Sequence, residues 1–139
     1  EVMVAHTAQN AKANKLDLQA VHGDAFDMLR EAQLGAHDMM ILDPPKWVAN
    51  KNQIELGLER YSDLNRLGFE KVARGGLVVT CSCSGGVSED SFLRMLREAA
   101  AAARRDVRIL RLRSAGADHP VALECPETRY LKVAVLQVR

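Results

Sequence analysis

The sequence predicts an α/β fold with a mainly parallel sheet. Three observations carry that prediction. Short apolar runs alternate with longer amphipathic stretches, the pattern of strands and crossover helices. Two of the runs, ending at Leu42 and Ser82, stop in polar or reactive residues: Asp43-Pro44-Pro45-Lys46 and Cys83-Ser84. Glycine pairs, Gly75-Gly76 and Gly85-Gly86, flank the second run.

Taken in order, Val4, Ala8, Ala11 and Asn14 lie near helical spacing and predict a helix over 2–14. Leu16 to His22 alternates and reads as a short strand. Gly23-Asp24 turns the chain, and Asp24 is placed to cap a helix running to about Leu34. His37 to Leu42 reads as a buried strand, closed by two prolines that cannot continue a central strand. Residues 46–53 look like a polar, mobile loop. Ile54 to Ala73 reads as a helix, with Leu56, Leu64, Leu67, Phe69 and Val72 among its apolar positions. Arg74-Gly75-Gly76 is a helix stop before a strand from Leu77 to Ser82. Ser88-Glu89-Asp90 starts a helix to about Arg104. Val107 to Leu112 reads as a strand, Ser114 to Pro126 as a loop, and Tyr130 to Val138 as a last strand. The final two strands have no helix between them, so one of them is expected to run antiparallel.

The bulk numbers exclude several classes. The chain has 139 residues, 47% hydrophobic and 27% charged, with a net charge of +1. That suits one soluble domain with a real core, not a polycation. A nucleic-acid partner must then be held by a local basic patch. Arg104, Arg105, Arg108, Arg111 and Arg113 form a local basic run, which is usually a solvated face but could meet phosphates. No apolar run is long enough to span a membrane. The N-terminus lacks signal-peptide features and does not begin with Met, which points to a fragment or a processed product. Three cysteines, Cys81, Cys83 and Cys125, with no export signal argue for a reducing, cytosolic setting. Cys81-x-Cys83 has one spacer and no second ligand pair, so no metal site is expected.

Two segments carry chemistry. In open α/β sheets ligands bind beyond the carboxyl ends of the strands, so Asp43 and the cysteines could share one cleft. Asp43, followed by rigid prolines, is held with little freedom and suits a hydrogen bond to a base; it equally suits a capping aspartate. Cys81 and Cys83 point the same way on a regular strand. Cys81 reads as a small core residue, and Cys83, nearer the glycines, as a nucleophile. Asp24 reads as a cap or a contact to an adenine amine. His119, before Pro120, reads as an acid–base group or a surface histidine.

Asp43-Pro44-Pro45-Lys46, Tyr61-Ser62-Asp63-Leu64-Asn65, Gly75-Gly76 through Ser82-Cys83-Ser84, Asp118-His119-Pro120-Val121, and Pro126-Glu127 with Tyr130-Leu131-Lys132 occur in this order. Together they resemble the large-subunit (23S) ribosomal RNA cytosine-C5 methyltransferases, class I enzymes that use S-adenosylmethionine. The resemblance covers nearly the whole chain. It implies a Rossmann-like sheet, mostly parallel, with one antiparallel strand near the C-terminus. It implies a cytoplasmic enzyme with ribosomal RNA as partner. Cys83 matches the cysteine that attacks C6 of the base; Cys81 does not. Asp43 matches the aspartate that hydrogen-bonds or protonates N3. Asp24, Ala25, Asp43 and Pro44 match cofactor positions. Pro45, Lys46, Ser84 and His119 fall at substrate positions. Relatives with two cysteines have one where Lys46 stands, so Lys46 cannot serve as the second thiol.

The resemblance also implies what is missing. The chain reads as residues 1–139 of a catalytic domain that lacks its first two strands, their glycine-rich loop and the family's N-terminal RNA-binding domain. The two strands would lie between those at Leu18 and Ile41, leaving a gap with unpaired backbone groups. A homodimer or other assembly is therefore expected. Two other readings stand beside this one. A purine-nitrogen methyltransferase of the same fold uses Asp/Asn-Pro-Pro followed by an aromatic residue; Lys46 at that place and Cys83 favour the cytosine reading. An inactive remnant that binds RNA or a partner is the third.

Overall fold

The computed structural model describes residues 2–139, which divide into two compact units. The first reaches to Glu31 and the second is Ala32–Arg139.

The first unit holds helix α1 (Val2–Ala13) and helix α2 (Ala25–Glu31). The chain leaves α1 through Lys15, whose φ of 55° is left-handed. Asp24 caps α2: its Oδ1 accepts from the backbone N–H of Phe26 at 2.8 Å and of Asp27 at 3.2 Å. That satisfies two of the donors a helix start leaves open. The helix stops at Glu31, short of Leu34. Leu16 to His22 forms no strand, contrary to its alternation. Among the described residues of the first unit there is no strand, and an extended segment without a ladder partner has nothing to hold it. Leu16, Leu18 and Val21 stay exposed.

The second unit is a four-stranded sheet with two helices. Strand β1 (His37–Leu42) leads through a 3-10 turn at Lys51–Gln53 to helix α3 (Ile54–Lys71). Strand β2 (Val72–Ser82) follows at once, then α4 (Glu89–Ala102), β3 (Val107–Arg113) and β4 (Lys132–Val138). The order is β1-β2-β4-β3. β1 and β2 are parallel, and β4 is antiparallel to both its neighbours. β4 is thus the one antiparallel strand, inserted between β2 and β3.

Alternation explains the core. Leu42, Val78, Thr80, Ser82, Lys132, Ala134, Leu136 and Val138 are buried, and the register sets Thr80 beside both Leu42 and Ala134. Residues of opposite parity, Val79, Cys81, Val133 and Val135, are only half-buried. Helix α3 lies on the first face. A Cβ at Gly68 would meet Leu42 Cδ1 at 2.8 Å, so the glycine is what lets α3 approach β1. Tyr61, Leu64, Leu67 and Phe69 of α3 close over this face together with Phe92, Met95, Leu96 and Ala99 of α4. α4 starts where expected, with Ser88 Oγ accepting from Ser91 N at 3.1 Å.

Two expectations need correction. β1 is an edge strand, with only Leu42 buried and Met39 and Ile41 exposed. Its unbroken apolar run suggested burial on both faces, but among the described residues one side of its ladder has no partner. β2 begins at Val72, not Leu77. The register jumps from His37↔Val72 to Met39↔Leu77, leaving 73–76 as a bulge. Gly75 takes φ 85° there, and a Cβ on Gly76 would lie 2.7 Å from Asp38 O. The glycine pair is therefore a bulge inside the strand.

Candidate functional site

The parallel pairing of β1 with β2 sets the geometry. Leu42 is registered with Thr80, so Asp43 and the Cys81–Ser84 segment leave the sheet at the same end. Asp43 and Cys81 both follow a buried-face residue and share the opposite parity. They act on each other electrostatically. Burial pushes the Cys81 thiol up, and the Asp43 carboxylate and then Cys83 push it further the same way. Cys81 is thus kept as a neutral thiol, but it is half-buried on the face opposite the core and is not the small core residue its position suggested.

Cys83 follows the last ladder residue and is half-buried. Its neighbour Ser84 is fully buried and joins three segments. Ser84 Oγ accepts from the N–H of Val48 at 3.1 Å and shares a 3.0 Å hydrogen bond with the Tyr61 hydroxyl. Tyr61, on α3, also points its hydroxyl at the Pro45 carbonyl, at 3.5 Å. The Trp47 ring packs on Tyr61, with centroids 4.8 Å apart and planes tilted by 59°. Gly57 makes room, because a Cβ there would overlap Val48 Cγ2. Gly86 meets Val48 from the other side, with 3.1 Å between its would-be Cβ and Val48 Cγ1. The Pro45–Val48 segment is therefore clamped between α3 and the exit of β2. The mobile loop expected at 46–53 is wrong at Trp47 and Val48; Val48 is 1% exposed.

Lys132 completes the site, and the sequence reading missed its role. It opens β4 opposite Ser82 and is only 8% exposed. Its ammonium donates to the Ser84 carbonyl at 2.6 Å and to the Tyr130 carbonyl at 2.8 Å. Burial lowers its affinity for the proton, while Cys83 opposes that shift. A signal was available: Lys132 has the same strand parity as Ala134, Leu136 and Val138. A lysine on the core-facing parity of a strand is out of pattern.

The remaining expected residues divide as follows. Pro44 is half-buried, and Pro45 and Lys46 are exposed on the clamped segment. Ser84, expected to face substrate, is 0% exposed with its hydroxyl engaged, so it braces the site from beneath. His119 is exposed in the 114–125 loop, its Nδ1 3.0 Å from Asp118 Oδ2, and is not part of this hydrogen-bonded group. Asp24 and Ala25 belong to the first unit, at the start of α2. Asp24 uses one carboxylate oxygen as the cap, which leaves the other to accept from a ligand amine.

This arrangement resembles known proteins. No protein-family model matches the chain. A methyltransferase structure complexed with SAH superposes with a TM-score of 0.79, at 25% identity, over 96% of this chain and 36% of that one. A SAM-dependent methyltransferase from Streptococcus mutans gives 0.78 at 24% identity, over 96% and 35%. The chain has the class I methyltransferase fold. A DNA modification methylase from Thermus thermophilus, complexed with S-adenosyl-L-methionine, shares that fold at 13% identity, with a TM-score of 0.57 over 84% of this chain and 53% of that one. Among curated proteins, the ribosomal RNA large subunit methyltransferase I of Aeromonas salmonicida is 39% identical over 136 residues, 94% of this chain and 34% of that protein. The protein of the same name from Serratia proteamaculans is 40% identical over 129 residues, 89% and 33%. The chain spans about a third of the length of these relatives.

Proposed function

We propose that this chain is the catalytic portion of an enzyme that methylates C5 of a cytosine in ribosomal RNA, through a covalent Cys83 adduct. The observation that carries the reading is the shared exit of Asp43 and Cys83 from neighbouring parallel strands. The similarity to large-subunit ribosomal RNA methyltransferases supports the substrate class.

The residues have a consistent division of labour. The Cys83 thiolate would attack C6 of the base, forming the S–C6 bond and moving the ring's π electrons toward C5 and N3. Asp43 would hydrogen-bond or protonate N3 and so relieve the charge that develops there. S-adenosylmethionine, when bound, would supply the electrophilic methyl group for C5, the new C–C bond forming as the sulfonium S–CH3 bond breaks and S-adenosylhomocysteine leaves. Loss of the C5 proton to a base then restores the double bond as the Cys83 thiolate leaves. Cys81, held neutral, stays out of the attack. Lys46, Pro45 and His119 remain the substrate-side residues of the proposal.

The residues present fit the cofactor chemically. The uncommitted oxygen of Asp24 is an acceptor of the kind an adenine amine needs, with Ala25 beside it. Asp43 and Pro44 would flank the reacting end. The unpaired edge of β1, with Met39 and Ile41 exposed, supports an assembly in which further strands extend the sheet. Light scattering that gives a monomer at all concentrations would remove that part.

The test is a trap. This chain is incubated with S-adenosylmethionine and a ribosomal RNA segment carrying 5-fluorocytosine, whose C5 fluorine cannot leave as a proton does. A stable protein–RNA adduct is expected, lost in Cys83→Ala. Methyl transfer that survives Cys83→Ala, with the label on a purine, would overturn the cytosine reading. Calorimetry showing no S-adenosylmethionine binding at millimolar ligand would overturn catalysis by this chain.

A further inference from the structure

We infer that Lys132 is the positioning residue for Cys83: its buried ammonium is the counter-charge that holds the thiolate ready to attack. This rests on Cys83 being the nucleophile.

The geometry carries the inference. Lys132 is registered with Ser82, and its amine reaches the carbonyl of Ser84, so it brackets Cys83 on both sides. Both of its hydrogen bonds go to neutral carbonyls, Ser84 O and Tyr130 O. No carboxylate among the described residues forms an ion pair with it. An ammonium has three donors, so one remains unspent. A buried cation without an anion is costly, and natural cores avoid it. Cys83 sits between Ser82, the register partner of Lys132, and Ser84, whose carbonyl the ammonium binds.

The other charged groups nearby are otherwise engaged. Glu89 of α4 and Arg129 line a cleft of about 350 Å³ that Lys132 and Gly85 also border, but they pair with each other at 3.4 Å. Asp43 acts on Cys81. The Tyr61 hydroxyl is taken up by Ser84 and Pro45. A plain structural staple would need only the two carbonyl contacts. Those contacts leave its charge without a counter-anion, beside the half-buried Cys83. Lys132 keeps its proton throughout; the thiol proton goes to solvent, and the ammonium stabilises the anion left behind.

The experiment is the pH dependence of iodoacetamide alkylation, followed peptide by peptide for Cys83, Cys81 and Cys125 in the unmodified chain, Lys132→Met and Lys132→Arg. The Cys83 curve is expected to move to higher pH in Lys132→Met by about one pH unit, a roughly tenfold slower reaction on its rising limb. Lys132→Arg should restore most of it. The curve of exposed Cys125 should not move. An unmoved Cys83 curve in folded Lys132→Met would overturn the inference. If Lys132→Met does not fold, the reciprocal measurement decides, because coupling between two sites is mutual. NMR titration of the Lys132 amine should then show its midpoint at lower pH in Cys83→Ser than in the unmodified chain, and an unmoved midpoint overturns the idea. Alkylation needs neither cofactor nor RNA. A failed adduct trap with a moved curve therefore removes the proposed reaction alone, and a successful trap with an unmoved curve removes only the role of Lys132.

Discussion

Lys132 Nζ lies 2.6 Å from the Ser84 carbonyl, and so a strand that starts near the C-terminus holds the exit of β2. Ser84 is the meeting point: its carbonyl binds β4, and its hydroxyl binds Tyr61 of α3 and the backbone of Val48. Cys83 and the Asp43 segment are thereby referred to one small buried residue.

Ser84→Ala should expose that dependence. It leaves the Val48 N–H without its acceptor and weakens the hold on the Tyr61 hydroxyl. A loss of about 1–3 kcal/mol is expected, the cost of unsatisfied buried groups. Chemical denaturation measures it, and a change within error would show that the hub does not carry stability.

Gly57→Ala tests the clamp on Trp47 and Val48. The added methyl would overlap Val48 Cγ2, and the Trp47 carbonyl lies 3.2 Å away. Overpacking of this kind costs about 1–3 kcal/mol, more than the better helix propensity of alanine returns. Trp47 is the chain's one tryptophan, so its fluorescence should report the displaced segment. An equal or raised melting temperature would refute the clamp.

Cys81 should give a signed pH effect. Its thiol is raised above the ordinary 9.0 by burial and by the neighbouring Asp43 carboxylate. A group whose proton is held more tightly in the folded state contributes stability below its unfolded value. That contribution is lost as pH rises through the folded value. Stability should therefore fall more steeply above about pH 9 in the unmodified chain than in Cys81→Ala. Asp43→Asn should speed Cys81 alkylation between pH 8 and 9, since it removes the second cause. Parallel stability curves, together with an unchanged alkylation rate, would contradict the pairing of Asp43 with Cys81.

Asp43→Asn also tests the proposed acid. An amide can hydrogen-bond N3 but cannot give it a proton. Methyl transfer should drop by about 10²–10⁴-fold, measured in single turnover, while the Cys83 adduct becomes harder to trap. A drop of less than about threefold would limit Asp43 to holding the turn.

Residue order alone established the alternation of helices and strands, because period-2 and period-3.6 patterns are local properties of the chain. It marked the cap at Asp24, the start of α4 at Ser88 and the single antiparallel strand, since caps and missing crossovers are also local. It brought out Asp43 and Cys83, because a polar residue at the end of an apolar run is visible in one dimension. Packing in three dimensions settled the rest. β1 became an edge, Leu16 to His22 formed no strand, and Gly75-Gly76 became a bulge, since each depends on which backbone lies alongside. The coupling of Asp43 to Cys81, the bracing by Ser84 and the burial of Lys132 join residues 23 to 48 apart along the chain. Hydrogen bonds and charges act over a few ångströms in space, and only the folded chain sets those distances.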